Sequence, residues 1–196
     1  TIQSVTVDGK PAKFKVSGER VTIPVTKTGK AAVRIKYHGR PEAGLYFIPA
    51  ERAFPARTPV IYTQGEMVDN RYWLVTYDYP DDKATSEGTI EVPKGYTTYS
   101  NGKMTGKEDV GNRSIWHWKM DKPHATYLIS LVAGPYDTGH EEWGGLSIDY
   151  GVPQGLADMG KTSFGGTADM VRFYSEITGF KYPYAKFSQE AVPDFM

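Results

Sequence analysis

The sequence predicts a mainly β chain, an antiparallel sandwich or open barrel with one helix near its end. Short apolar–polar alternations of period two recur through the first 150 residues, as expected for half-buried strands. Glycines and turn dipeptides separate them at short intervals, which is the punctuation of hairpins. A single segment, residues 167–178, carries its apolar residues at helical spacing.

Taken in order, Ile2–Val7 alternates cleanly, and Asp8-Gly9 supplies a tight turn. Residues 14–16, 21–25 and 32–37 repeat the pattern, with Gly18 and Gly29 between them. Further strands are predicted over 44–48, 60–63, 72–77, 89–92, 96–99, 114–120, 126–133 and 146–150. The alternation is clearest in Ser114-Ile115-Trp116-His117-Trp118-Lys119-Met120. Gly151–Gly166 is rich in glycine, includes Pro153, and reads as a linker or mobile loop. In the helix that follows, Thr167 is placed to act as N-cap, Asp169 falls in the first turn, and Gly179 supplies the C′ residue. Met170, Phe173, Tyr174 and Ile177 make its apolar face. A Tyr182-Pro183-Tyr184 turn and a last strand over 187–192 complete the reading, with a domain boundary near 150–155.

Composition narrows the function. Apolar residues are 39% of the 196, enough for a packed core. Basic and acidic residues balance at 23 each, without the basic excess that counterion release on nucleic acid requires. No apolar run approaches the ~20 residues that span a bilayer, so a soluble chain is expected. Thr1-Ile2-Gln3-Ser4 opens no signal peptide, and cytoplasmic and exported placements both fit. The chain has no cysteine, which removes disulfides, thiolate metal sites and cysteine nucleophiles together.

Several motifs reduce to bland readings. Gly155-Leu-Ala-Asp-Met-Gly160-Lys161-Thr162 satisfies the phosphate-loop pattern. Pro153 interrupts its approach, however, and Gly165-Gly166 breaks the chain where the helix must run. Nucleotide binding there is the weakest of the functional readings. His38, His117, His124 and His140 are scattered. His140-Glu141-Glu142 lacks a second histidine four residues on, where Gly144 stands, so no metal-binding helix face forms. His140 is expected in a loop, and His117 at an edge or surface. Asp78, Asp81 and Asp82 beside Pro80 read as a solvated turn. Thr63-Gln64-Gly65-Glu66 is more pointed, because a strand runs into a glycine and then a carboxylate. A carboxylate presented there can grip an ammonium group through charge-assisted hydrogen bonds.

That segment, with Asp69-Asn70-Arg71-Tyr72-Trp73 and Tyr77-Asp78-Tyr79-Pro80-Asp81-Asp82-Lys83-Ala84-Thr85, resembles the amino-terminal domain of the aminopeptidase N family of zinc metallopeptidases. Ile90–Pro93, Ser100-Asn101-Gly102 and Tyr127–Gly134 continue the likeness. Phe173-Tyr174, Tyr182–Gln189 and Ala191-Val192-Pro193-Asp194-Phe195 are similar to the family's approach to its active site. Leu74-Val75-Thr76 stands where many relatives have Phe-Pro-Cys, which marks a divergent branch.

The resemblance implies a saddle-shaped antiparallel β-sandwich over residues 1–153, lacking its first strands. Residues 154–196 would then be a linker and the helix-and-strand start of a thermolysin-like catalytic domain. It implies that Glu66 holds the free α-amino group of a peptide substrate, with Gln64 lining the same pocket. Zinc is expected in the parent enzyme and not in this chain, because the family's Gly-x-Met-Glu-Asn and His-Glu-x-x-His segments lie beyond Met196. No catalytic or metal residue is therefore assigned within the chain, and it is expected to be inactive alone. Its expected partners are peptide substrates through the parent, and the catalytic portion or another copy at open sheet edges. A non-catalytic interaction scaffold of the same fold is the alternative.

Overall fold

The computed structural model describes residues 1–53 and 57–195. The chain is mostly β and divides into two compact units, Thr1–Glu42 and Ala43–Met196. In the first, β1 (Ile2–Val7), β2 (Lys10–Pro11) and β5 (Val33–Tyr37) form one sheet in the order β2-β1-β5. Between them in sequence, β3 (Lys15–Ser17) and β4 (Arg20–Thr22) form a separate hairpin. The Asp8-Gly9 turn forms as expected, with both residues at positive φ, +48° and +79°. That handedness matches the twist of the flanking strands.

The second unit contains β6 (Leu45–Ile48), β7 (Val60–Thr63), β8 (Lys83–Pro93), β9 (Thr97–Ser100), β10 (Lys103–Val110) and β11 (Arg113–Ala125). It continues with β12 (Leu131–Gly134), β13 (Tyr136–Trp143), β14 (Leu146–Pro153), α1 (Ala157–Phe164), α2 (Thr167–Thr178) and β15 (Lys186–Glu190). The sheets run β6-β7-β12-β9, β10-β11-β8 and β13-β14-β15. Every described pairing is antiparallel except β14 with β15.

Sheet-on-sheet packing follows from the alternation. Ser114, Trp116, Trp118 and Met120 of β11 are buried, while Ile115, His117 and Lys119 are more exposed. Trp116 and Trp118 meet Val92, Ala133 and Ile61, so β10-β11-β8 packs on one face of the four-stranded sheet. The other face of that sheet presents Ile48, Val60, Tyr62 and Tyr99 to Tyr136. One strand, β7, thus faces a core on each side: Ile61 in one, Val60 and Tyr62 in the other.

Four local expectations are corrected. Residues 72–77 are not a strand: a short 3-10 helix, Asp69–Tyr72, leads into turns. Gly151–Gly166 is not a continuous loop, since α1 occupies Ala157–Phe164. Gly160 is buried in it because a Cβ there would lie 2.9 Å from both Val152 methyl carbons. The helix thus gives up propensity for close approach to β14. His140 lies in β13 and not in a loop. Thr167 is the first residue of α2 and not its cap, for Gly166 holds that position at φ +89°. The helix start is instead capped from β13, where Glu141 accepts from Gly166 N (2.7 Å) and Ala168 N (2.8 Å). A carboxylate suits the positive end of a helix.

The extent of α2 matches the expectation, but its apolar face is bare. Met170, Phe173, Tyr174 and Ile177 are each more than half exposed, as is Phe180 beyond the helix. No helix among the described residues is long and apolar enough to cross a membrane.

Candidate functional site: the turn after β7

Strand β7 ends at Thr63, whose hydroxyl accepts from Leu131 N at 2.8 Å and so fixes the strand end to β12. The next residues leave the sheet. Gln64 N donates to Gly44 O at 3.0 Å, and the Gln64 side-chain oxygen accepts from Glu66 N at 3.1 Å. This contact across one residue draws Gln64 and Glu66 onto the same turn. The Glu66–Met67 peptide is cis. The Glu66 side chain is exposed, free to accept from a cation.

Under the turn sits a fully buried polar side chain, Asn70, with 0% exposure. Its amide nitrogen donates to Thr126 O (2.6 Å) and Ile129 O (3.1 Å). Its amide oxygen accepts from Trp73 Nε1 at 2.8 Å. Burying an amide without partners is costly, and here both ends are matched. Gly65 lies directly on this amide: a Cβ at Gly65 would stand 2.5–2.7 Å from its atoms. Gly44 backs the turn from β6, where φ is +78° and a Cβ would collide with Asp69 O.

A second buried polar group extends the frame. Asp78 is 3% exposed, not the solvated carboxylate that the sequence suggests. It accepts from Arg71 N at 2.9 Å, and its own carbonyl accepts from Arg71 Nη2 at 3.0 Å. The Arg71 guanidinium lies over the Tyr79 ring, 5.1 Å from its centre. Thr126 Oγ1 donates to Tyr77 O at 3.1 Å. The run from 63 to 79 is thereby tied by three hydrogen bonds to the segment between β11 and β12. Asp81 and Asp82 remain exposed. No pattern rule singles out Asn70 or Asp78, because their burial arises from partners 56 and 7 residues away.

The remaining candidates stand apart from the turn. His140 pairs with Asp149 at 2.7 Å on β13 and β14. His117, on the outer side of the central strand β11, meets Thr89 Oγ1 at 3.2 Å. His124 is buried against Ser86 Oγ and Lys122 O. Among the described residues no group of three or more His, Asp or Glu side chains is placed to hold a metal ion. The phosphate-loop pattern does not fold as one, since Lys161 lies inside α1 and the helix begins two residues after Gly155.

A cavity of about 200 Å³ begins beside Thr63 and is lined by Tyr99, Ser130, Lys186, Ser188 and Glu190 among others. Gln64 and Glu66 lie outside its lining. Lys186 Nζ donates to Ser188 Oγ (2.9 Å), and Ser188 Oγ donates to Glu190 Oε1 (2.5 Å). Burial raises the Glu190 carboxyl and lowers the Lys186 ammonium, each toward its neutral form.

Comparison with known proteins now adds to this geometry. The sequence model of the family described as the peptidase M1 N-terminal domain matches residues 1–128. A probable aminopeptidase 2 of Sulfurisphaera tokodaii is 26% identical over 99% of this chain and 25% of its own length. Aminopeptidase M1 of Arabidopsis thaliana is 30% identical over 68% of this chain and 15% of its own. The chain therefore spans a quarter or less of these curated relatives. Among solved structures, an M1 zinc metallopeptidase from Deinococcus radiodurans superposes with a TM-score of 0.81 at 19% identity. That match covers all of this chain and 47% of the other.

Proposed function

This chain belongs to the peptidase M1 N-terminal domain family, and from that premise we propose that it is the substrate-facing part of a zinc-dependent aminopeptidase. In this reading residues 1–153 are the sandwich domain and 154–196 open the catalytic domain. Peptides with a free amino terminus are the substrates. Glu66 accepts hydrogen bonds from the substrate's α-ammonium group, and Gln64 lines the same pocket. The observation that carries the reading is an exposed carboxylate on a turn seated on the buried Asn70 amide, whose donors and acceptor are all matched. A peptidase that removes residues from one end must recognise a cation at a fixed place, and a carboxylate held by rigid backbone does that.

Zinc in such an enzyme polarises the scissile carbonyl and activates water. The residues described here do not fit a zinc site, so its ligands are assigned to other parts of the enzyme. The chain alone is expected neither to hydrolyse aminoacyl arylamides nor to take up stoichiometric metal. The bare face of α2 supports a larger assembly, since apolar patches of this kind mark interaction surfaces. The rest of the enzyme is its proposed cover. The same face favours the second reading, a non-catalytic interaction scaffold. Loss of the metal-binding motif from the gene's remaining sequence would decide for that alternative.

The test is Glu66→Ala in the enzyme that carries this chain. Losing a hydrogen bond to a charged group lowers kcat/KM for aminoacyl arylamides by about 10- to 100-fold, with zinc content unchanged. Wild-type kinetics in the variant would remove Glu66 from the site.

A further inference from the structure

We propose that Asn70 is a positioning residue for the substrate amine: it sets where Glu66 stands, without touching substrate itself. The inference rests on the reading of Glu66 as the ammonium acceptor. Asn70 lies four residues after Glu66 but is bonded to a segment more than fifty residues further along the chain. Both donors of its amide go to carbonyls of the segment joining β11 to β12, Thr126 O and Ile129 O. Its acceptor is filled by Trp73 Nε1. Its backbone carbonyl also accepts from Trp73 N and Leu74 N, at 3.2 and 2.8 Å. The amide therefore has one orientation, and it forms the floor on which Gly65 rests.

Gly65 transmits that position. Its missing Cβ lets the backbone close to van der Waals distance over the Asn70 amide. Its carbonyl accepts from Asp69 N at 3.0 Å, so the loop 65–69 is clamped at both ends. Glu66 is the next residue, and its N–H is held by Gln64. Gly65 is thus fixed by one buried side chain, and Gln64 and Glu66 on either side of it are tied to each other, so the exposed carboxylate inherits the precision of the core. A displacement of about 1 Å in a charge-recognising group can cost 100-fold in rate.

The experiment uses the whole enzyme with leucine p-nitroanilide as probe. Asn70→Ala is expected to raise KM about tenfold, with a smaller change in kcat and with zinc content unchanged. The deciding measurement is the double variant. If Asn70 acts through Glu66, adding Asn70→Ala to Glu66→Ala changes KM no further, because the group being positioned is gone. Multiplying effects would mean a general structural role and would overturn the inference, as would an unchanged KM in the single variant. A neutral Glu66→Ala would remove the reading on which it rests, and the inference with it. Should Asn70→Ala not accumulate as folded protein, Gly65→Ala replaces it. The added methyl presses on the Asn70 amide without deleting any of its hydrogen-bond partners, and the same loss of effect in the Glu66→Ala background is expected.

Discussion

The turn after β7 and helix α2 break opposite rules of burial. The turn places Asn70 and Asp78 where water does not reach, and matches the Asn70 amide at both ends and Asp78 with Arg71. The helix leaves Phe173, Tyr174 and Ile177 in solvent, with nothing among the described residues to cover them. A buried amide is tolerable because its hydrogen bonds are satisfied inside the unit. An exposed apolar stripe gains nothing until another surface arrives. The first region satisfies its buried amide from within, and the second leaves its apolar stripe open.

The sharpest way to break this comparison is Asp78→Ala. Removing the carboxylate takes the acceptor from Arg71 N and the negative charge from beside its guanidinium, and losing a charged hydrogen-bond partner in a buried site costs about 3 kcal/mol. Urea unfolding of the chain should show the loss; a change within 0.5 kcal/mol would mean that the frame does not depend on this pair. Next in size is Phe173→Ser on α2. In the isolated chain its stability effect should stay within about 0.5 kcal/mol, as at other exposed positions. In the full enzyme the same change should cost about 3 kcal/mol, if the face is covered there. Equal small losses in both settings would mean that the stripe stays open. The smallest expected effect is Glu141→Ala, which removes the acceptor at the start of α2. A lost cap costs about 1 kcal/mol, to be read as a fall in helix stability by hydrogen exchange of Ala168 and its neighbours.

What the sequence revealed follows the range of the forces involved. Strand β11 was legible because Trp116, Trp118 and Met120 fall on one face by period two. The Asp8-Gly9 turn was legible because its positive φ values need those residue types. The limits of α2 could be read from its own periodicity and from Gly179. Strand β13 was missed because, between Tyr136 and Trp143, its more buried positions carry Asp137, Gly139 and Glu141 instead of apolar residues. Gly139 is there because a Cβ would strike the Tyr150 ring, and Glu141 because it reaches α2. Helix α1 was hidden by Gly160, whose use is contact with Val152. Glu66 and Gln64 came from a motif, whereas the seating of Asn70 beneath Gly65 depends on carbonyls beyond residue 125. Local rules read local causes, and the floor of the turn is set from a distance.

The parallel seam between β14 and β15 has a kinetic corollary. Ser147 pairs with Lys186, and Gly151 with Glu190, so the seam cannot close until both intervening helices have been synthesised. The β13–β14 hairpin can assemble from neighbouring residues well before that. During translation it would wait with one border bare, and only the arrival of residues near 190 would seal it. Such long-range closure is a slow class of folding event. The closing of this sheet is therefore timed by the emergence of β15.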